Sequence, residues 1–151
     1  MDWFPTLGKA VYEMVLGGII GIEREAAQKP AGFRTNMLVG GASAFLVSLT
    51  RTLVSSMETS EIGESIRTDP IRIIEAIIVG ISFIGAGTII QRKSEERVEN
   101  LTTAATILFV AALGVAVALN QIYLATSLAV VVILVNFALG RIETWVKERQ
   151  K

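Results

Sequence analysis

At 151 residues the chain has room for one domain, and its 52% hydrophobic content with a mean hydropathy of +0.56 is too apolar for an ordinary soluble domain. Lys plus Arg (14) balance Asp plus Glu (14), so no net field draws the chain to nucleic acid. Cysteine and histidine are both absent, which excludes disulfides, thiolate nucleophiles, imidazole bases and the usual zinc ligands.

The placement of charge points to a bilayer. From Leu101 to Gly140 there is no Asp, Glu, Lys or Arg, whereas the tail from Arg141 to Lys151 is dense in them. About 20 helical residues cross a hydrocarbon core of about 30 Å. On that measure the chain predicts an all-α bundle with about five transmembrane helices, in one domain over 1–151. The first, 7–22, is short and interrupted by Lys9 and Glu13, which leaves open a tilted or partly re-entrant segment. Asp2 before it and Glu13 within it, with no basic leader, read as a retained segment and not a cleaved signal.

The second helix, 36–56, is apolar except for Arg51 near its end, from where a long side chain can snorkel to the headgroups. The third, 70–90, is introduced by Asp69 at the cap position and Pro70 at the first helical position. The fourth and fifth, 101–119 and 122–139, share the uncharged run and meet at Asn120-Gln121, which makes them an antiparallel hairpin. The connecting loops are too short to form a further domain. No internal repeat is evident, which argues against an inverted-repeat transporter.

With five spans, Arg24, Lys29, Arg34, Arg92, Lys93, Arg97, Arg141, Lys147, Arg149 and Lys151 fall on one side, and Lys9, Arg51, Arg67 and Arg72 on the other. The excess of positive charge in cytoplasmic loops then puts the C-terminus in the cytoplasm and the N-terminus outside.

Small residues occur in rows suited to helix packing in lipid, where backbones must come close to gain contacts. Gly17 and Gly21 form one such step, Gly40 and Ala44 another, Ala76 and Gly80 a third; Gly85 and Gly87 thin the third helix near its end. Bulky residues at Gly85 or Gly87 are expected to overpack. Glu13 lies on the face of Gly17 and Gly21, so it is expected to face protein. Glu75 aligns with Val79, Ser82 and Ala86 along one face of the third helix. An intramembrane carboxylate is either a paired structural acid or an ion or proton site. Glu23, Arg24 and Glu25, followed by Gly32 and Arg34, place dense charge where the first two helices join. Glu23 and Arg34, at the facing ends of antiparallel neighbours, are expected to pair or share one polar network. On a helix Glu23 and Glu25 point apart, so their spacing does not support a magnesium site, and no other cofactor is implied.

Four blocks carry a resemblance. They are Gly21-Ile22-Glu23-Arg24-Glu25; Ala31-Gly32-Phe33-Arg34-Thr35; Asp69-Pro70 through Arg72-Ile73, with Gly80-Ile81-Ser82-Phe83-Ile84-Gly85-Ala86-Gly87; and Leu101-Thr102-Thr103-Ala104-Ala105. In order and spacing they cover nearly the whole chain, which resembles the hydrophobic N-terminal domain of the MgtC/SapB family of bacterial inner-membrane proteins. The resemblance implies a five-helix membrane domain, a link to growth in low magnesium and, in pathogens, to survival inside macrophages. It also implies a protein partner, since some members restrain the proton-translocating ATP synthase. Magnesium transport is not an accepted activity of the family, and no catalytic residues are assigned. Many members have an Arg-Gly pair where this chain has Glu99 and Asn100. The virulence members continue into a soluble C-terminal domain, so this chain is expected to be a short member or a fragment without that domain.

The reading that results is a non-enzymatic membrane protein of magnesium or ion homeostasis that forms homo-oligomers and binds other membrane proteins. The alternatives are an oligomeric transporter or channel using Glu13 and Glu75, and a scaffold in which the charged motifs only set topology. A reporter fused after Lys151 is expected to be active only as a cytoplasmic fusion; periplasmic activity would show that the spans have been miscounted.

Overall fold

A computed structural model describes residues 3–58, 70–90 and 100–149. They form five helices: α1 (Trp3–Ala26), α2 (Phe33–Glu58), α3 (Pro70–Ile90), α4 (Leu101–Ala118) and α5 (Ile122–Arg149). The chain is a helical membrane bundle. Phe33–Ser56, Ile71–Ile89 and Leu101–Ala118 are each long and apolar enough to cross a membrane, while the apolar part of α5, Ile122–Ala138, is shorter. α1 carries Lys9 and Glu13 within its length, yet it is one continuous helix of 24 residues, about 36 Å long. Helices α1 and α5 outrun the expected 7–22 and 122–139 because charge ends an apolar span without ending a helix. Nothing between Glu23 and Ala26, or between Arg141 and Arg149, breaks backbone hydrogen bonding. Asp69, expected as the cap of α3, lies outside the described residues.

Three hydroxyls inside the bundle are satisfied by the preceding turn of their own helix. Ser43 donates to the Val39 carbonyl at 2.9 Å, Thr50 to Leu46 at 2.8 Å and Thr106 to Thr102 at 2.8 Å. The hairpin between α4 and α5 closes on Asn120 at φ 65°. Its N–H donates to the Val117 carbonyl at 3.0 Å and that of Gln121 to Ala116 at 2.9 Å, so two of the carbonyls left open at the end of α4 are used by the turn.

Among the described residues, helix α4 touches all four other helices. Ile107, Val110, Ala111, Leu113 and Val117 from α4 are buried against Leu16 and Ile20 of α1, Val39 of α2, and Ala125 and Ala129 of α5. The packing of α1, α2 and α4 is backbone against backbone. A Cβ on Gly17 would stand 2.6 Å from the Asn36 carbonyl oxygen, one on Gly21 2.7 Å from the Phe33 Cα, and one on Gly114 2.5 Å from the Gly40 carbonyl oxygen. Gly40 is equally constrained, by the Glu13 carboxyl at 2.9 Å and Val110 at 3.0 Å. Helix α1 therefore runs antiparallel to both α2 and α4, while α2 and α4 run parallel.

Helix α3 lies outside this core, against α4 and one part of α2. Only 6% of its apolar window is buried. This corrects the expectation for Gly80 and Gly87, where nothing among the described residues lies within 4 Å of an added Cβ, while Gly85 is buried and meets Ala104 of α4 at an ordinary 3.4 Å. The small residues of α3 are in the sequence pattern of a packed face, but the face that packs is on α1, α2 and α4. Gly17→Ala and Gly114→Ala are each expected to cost about 1 to 3 kcal/mol through overpacking. Gly80→Ala and Gly87→Ala should leave stability unchanged or raised, since alanine is the better helix former. Thermal unfolding in detergent measures this, and equal losses at all four positions would contradict the packing.

Candidate functional site

The termini of the helices gather into two ends. At one end α1 and α3 finish while α2 and α4 begin; at the other α1 and α3 begin while α2 and α4 finish. Among the described residues the charged side chains inside the bundle gather at these two ends, with Glu13 between them.

At the first end Arg24, in the last turn of α1, is only 5% exposed. Its Nη2 donates to the Thr102 hydroxyl at 3.2 Å and to the buried Thr103 hydroxyl at 3.3 Å, both in the first turn of α4. The sequence singled out all three residues, and the structure brings them together. The loop that follows is a small assembly of its own. The Glu25 carboxylate accepts the Phe33 N–H at 3.0 Å, capping α2 from the end of α1. A Cβ on Gly32 would lie 2.8 Å from that carboxylate, so glycine is what lets it in. Asn36, fully buried, donates its amide to the carbonyls of Ala31 at 2.6 Å and Gly32 at 2.9 Å. These two bonds hold Ala31 in its left-handed conformation, φ 56°.

Glu23 and Arg34 are not joined: Arg34 is exposed, and no hydrogen bond or ion pair links it to Glu23 among the described residues. The buried cation is Arg24, because in a 3.6-residue helix it is Arg24 that turns toward α4. Glu25 and Asn36 were missed from sequence. Their roles are backbone caps across a loop with two left-handed residues, Gln28 and Ala31, neither of which is a glycine that would have flagged the turn.

At the opposite end Lys9 and Arg51 converge on one acceptor. Lys9 Nζ donates to the Ala118 carbonyl at 3.0 Å and Arg51 Nη1 donates to the same oxygen at 3.1 Å. That carbonyl is at the negative end of α4, where cations are favoured. Nearby, the Tyr12 and Thr126 hydroxyls tie α1 to α5 at 2.6 Å.

Between the ends, Glu13 is fully buried as expected, wedged against Gly40 and Val110, and neither carboxyl oxygen has a hydrogen-bond partner. Glu75 is elsewhere: with Val79, Ser82 and Ala86 it lies on the exposed face of α3. One chain does not bring the two carboxylates together. Among the described residues no three His, Cys, Asp or Glu side chains converge to hold a metal.

Asn100, just before the Leu-Thr-Thr block, is left-handed at φ 70°. Asn tolerates that conformation better than most residues other than glycine. Its amide donates to the Thr88 carbonyl at 3.4 Å and pins the start of α4 to the end of α3.

A helical membrane bundle with glycine-mediated packing and polar clusters at both ends is the class that fold and site define. Residues 11–145 match the MgtC family, and the chain belongs to it. It is 36% identical over 140 residues to protein MgtC of Salmonella typhimurium, covering 92% of this chain and 54% of that one. It is 36% identical over 121 residues to protein SapB of Bacillus subtilis (77% and 50%) and 34% identical over 119 residues to protein SrpB of Synechococcus elongatus (75% and 63%). The chain thus spans between about half and two thirds of these relatives. No solved structure matches.

An ionised carboxylate without a partner at the depth of Glu13 is costly. Glu13→Gln, which keeps the shape and removes the charge, is therefore expected to be at least as stable as the parent. Glu13→Ala should cost about 2 to 4 kcal/mol by opening a cavity between α1, α2 and α4. If unfolding in detergent showed as large a loss for Gln as for Ala, the charge and not the packing would be holding α1 in place.

Proposed function

We propose that this is a non-enzymatic protein of the bacterial inner membrane that serves magnesium or ion homeostasis by binding other membrane proteins. The observation that carries this is α3. Val79, in the stripe of Glu75, Ser82 and Ala86, is 56% exposed, and Phe83 beside that stripe is 76% exposed. Between α2 and α3 an apolar groove is lined by Leu46, Leu49, Leu53, Ile73, Ala76 and Gly80. A small-residue helix with a carboxylate on its outward face suits a second transmembrane helix, which gains contact at Ala76, Gly80 and Ala86 and can offer Glu75 a donor. The partner reading covers both a second copy of this chain and a different membrane protein, the proton-translocating ATP synthase of the family resemblance among them. The domain is taken as single, with its first end, the Arg24 end, facing the cytoplasm.

Glu13 favours a second reading. A fully buried carboxyl with no partner is what a proton or cation pathway would use, and an oligomer could bring Glu75 of one copy toward another. Two measurements separate the readings. In a magnesium-starved host lacking its own copy, growth restored by this chain is expected to fail with Val79→Trp or Ala86→Trp on α3 and to survive Tyr123→Ala, an exposed control on α5. Purified protein in liposomes is expected to pass no Mg²⁺, K⁺ or H⁺ above empty vesicles. Flux that falls with Glu13→Gln or Glu75→Gln would replace partner binding by ion movement.

A further inference from the structure

We infer that the junction of α1 and α4 at the Arg24 end binds a phosphate-bearing anion, held by Arg24, the hydroxyl of Thr102, and the first-turn amides of α4. Among the described residues the start of α4 has no side-chain acceptor of its own. There is no acidic residue in its first turn, and Asn100 makes no side-chain capping bond. The Asn100 amide is instead turned to the Thr88 carbonyl. The first amides of a helix have no intrahelical partner and carry a partial positive charge, so this end calls for an anion.

What is found there is a cation. The Arg24 guanidinium, 95% buried by its 5% exposure, lies with Nη2 within 3.3 Å of both threonine hydroxyls, and its Nε has no hydrogen-bond partner. The end of α1 favours a positive charge and offsets part of the cost, but it leaves Nε unmet. The acidic neighbours do not relieve it. Glu25 is committed to the Phe33 N–H, and Glu23 makes no ion pair with Arg24 among the described residues. Because Arg24 uses the Thr102 oxygen as acceptor and Thr102 is exposed, that hydroxyl hydrogen is left to donate outward, whereas Thr103 is buried behind it. A guanidinium, the Thr102 hydroxyl and a row of amides form a set of donors that no carboxylate fills among the described residues, which suits a tetrahedral oxyanion with several oxygens better than a planar carboxylate. Thr102 and Leu101 are exposed, so the set is open on one side. At the headgroup level of a bilayer the ligand is the phosphate of a phospholipid headgroup or free phosphate.

The test uses the whole chain in a neutral detergent, with unfolding temperature read against added ligand. The probes are inorganic phosphate and short-chain phosphatidylglycerol, with chloride at matched ionic strength as control. A ligand that binds the folded state raises the midpoint in a saturable way. Saturable stabilisation by at least one probe beyond chloride is expected. Response to both assigns the site to phosphate in general, and response to phosphatidylglycerol alone assigns it to the lipid headgroup. Affinity should fall about tenfold in Thr102→Val, which leaves the buried arginine in place, and further in Arg24→Gln, with partial recovery in Arg24→Lys. If Arg24→Gln does not fold, Thr102→Val decides. No stabilisation beyond chloride, or equal stabilisation of parent and Thr102→Val, would overturn the inference.

Discussion

The contact on which the rest depends is the meeting of three backbones. Gly17 of α1 lies on the Asn36 carbonyl of α2, and Gly114 of α4 lies on the Gly40 carbonyl, with no side chain between. In lipid the tails around a helix are as apolar as its own leucines, so association must come from close contact and from hydrogen bonds. Glycine at these points brings α1 and α4 near enough for polar groups to bridge them at both ends. Lys9 reaches Ala118 and Arg24 reaches Thr103, and the same number of residues separates the two members of each pair along its helix. Two antiparallel helices are thus fixed in register by a cation near each end and by a glycine between. One added methyl group at Gly17 or Gly114 would widen the gap that both sets of bonds must cross.

The polar groups of this core follow from the same closeness. Burying Arg24, Asn36 and Glu13 among three helices is tolerable only where partners are fixed. Arg24 has two threonine hydroxyls and Asn36 two loop carbonyls, so the Arg24 end is a stiff assembly of loop and helix start. Glu13 has neither, which makes it the outlier of the core. Helix α3 contributes little to the core, and its exposed apolar length is a surface that a bilayer or another helix covers.

The fold was legible in the sequence because a bilayer leaves few choices: apolar length gives the helix, and Asp, Glu, Lys and Arg mark where the spans turn. Helix α3 starts and ends where the sequence places it, and Asn120-Gln121 is the turn that the uncharged run implied. The burial of Glu13 was legible too, from its register with Gly17 and Gly21. What sequence could not supply was the choice among glycine stripes. Gly17-Gly21 and Ala76-Gly80 look alike in one dimension, and only the neighbours that arrive show that the first is packed and the second open. The pairing of Arg24 with Thr102 and Thr103 was hidden for the same reason. Adjacent residues of a helix diverge by about 100°, so the charged run 23–25 does not reveal which member turns inward, and Arg34, nearer in sequence, drew the expectation.

A closed α1–α2–α4 core leaves α3 as the surface proposed to meet a second transmembrane helix. Photocrosslinking in native membranes tests it most directly, with the reactive side chain placed at Val79 or Phe83 on α3 and, as an exposed comparison, at Leu124 on α5. The account predicts discrete protein adducts, to a second copy or to another membrane protein, from the α3 positions and only lipid adducts from α5. Lipid adducts alone from Val79 and Phe83, in cells where the protein supports growth, would contradict it.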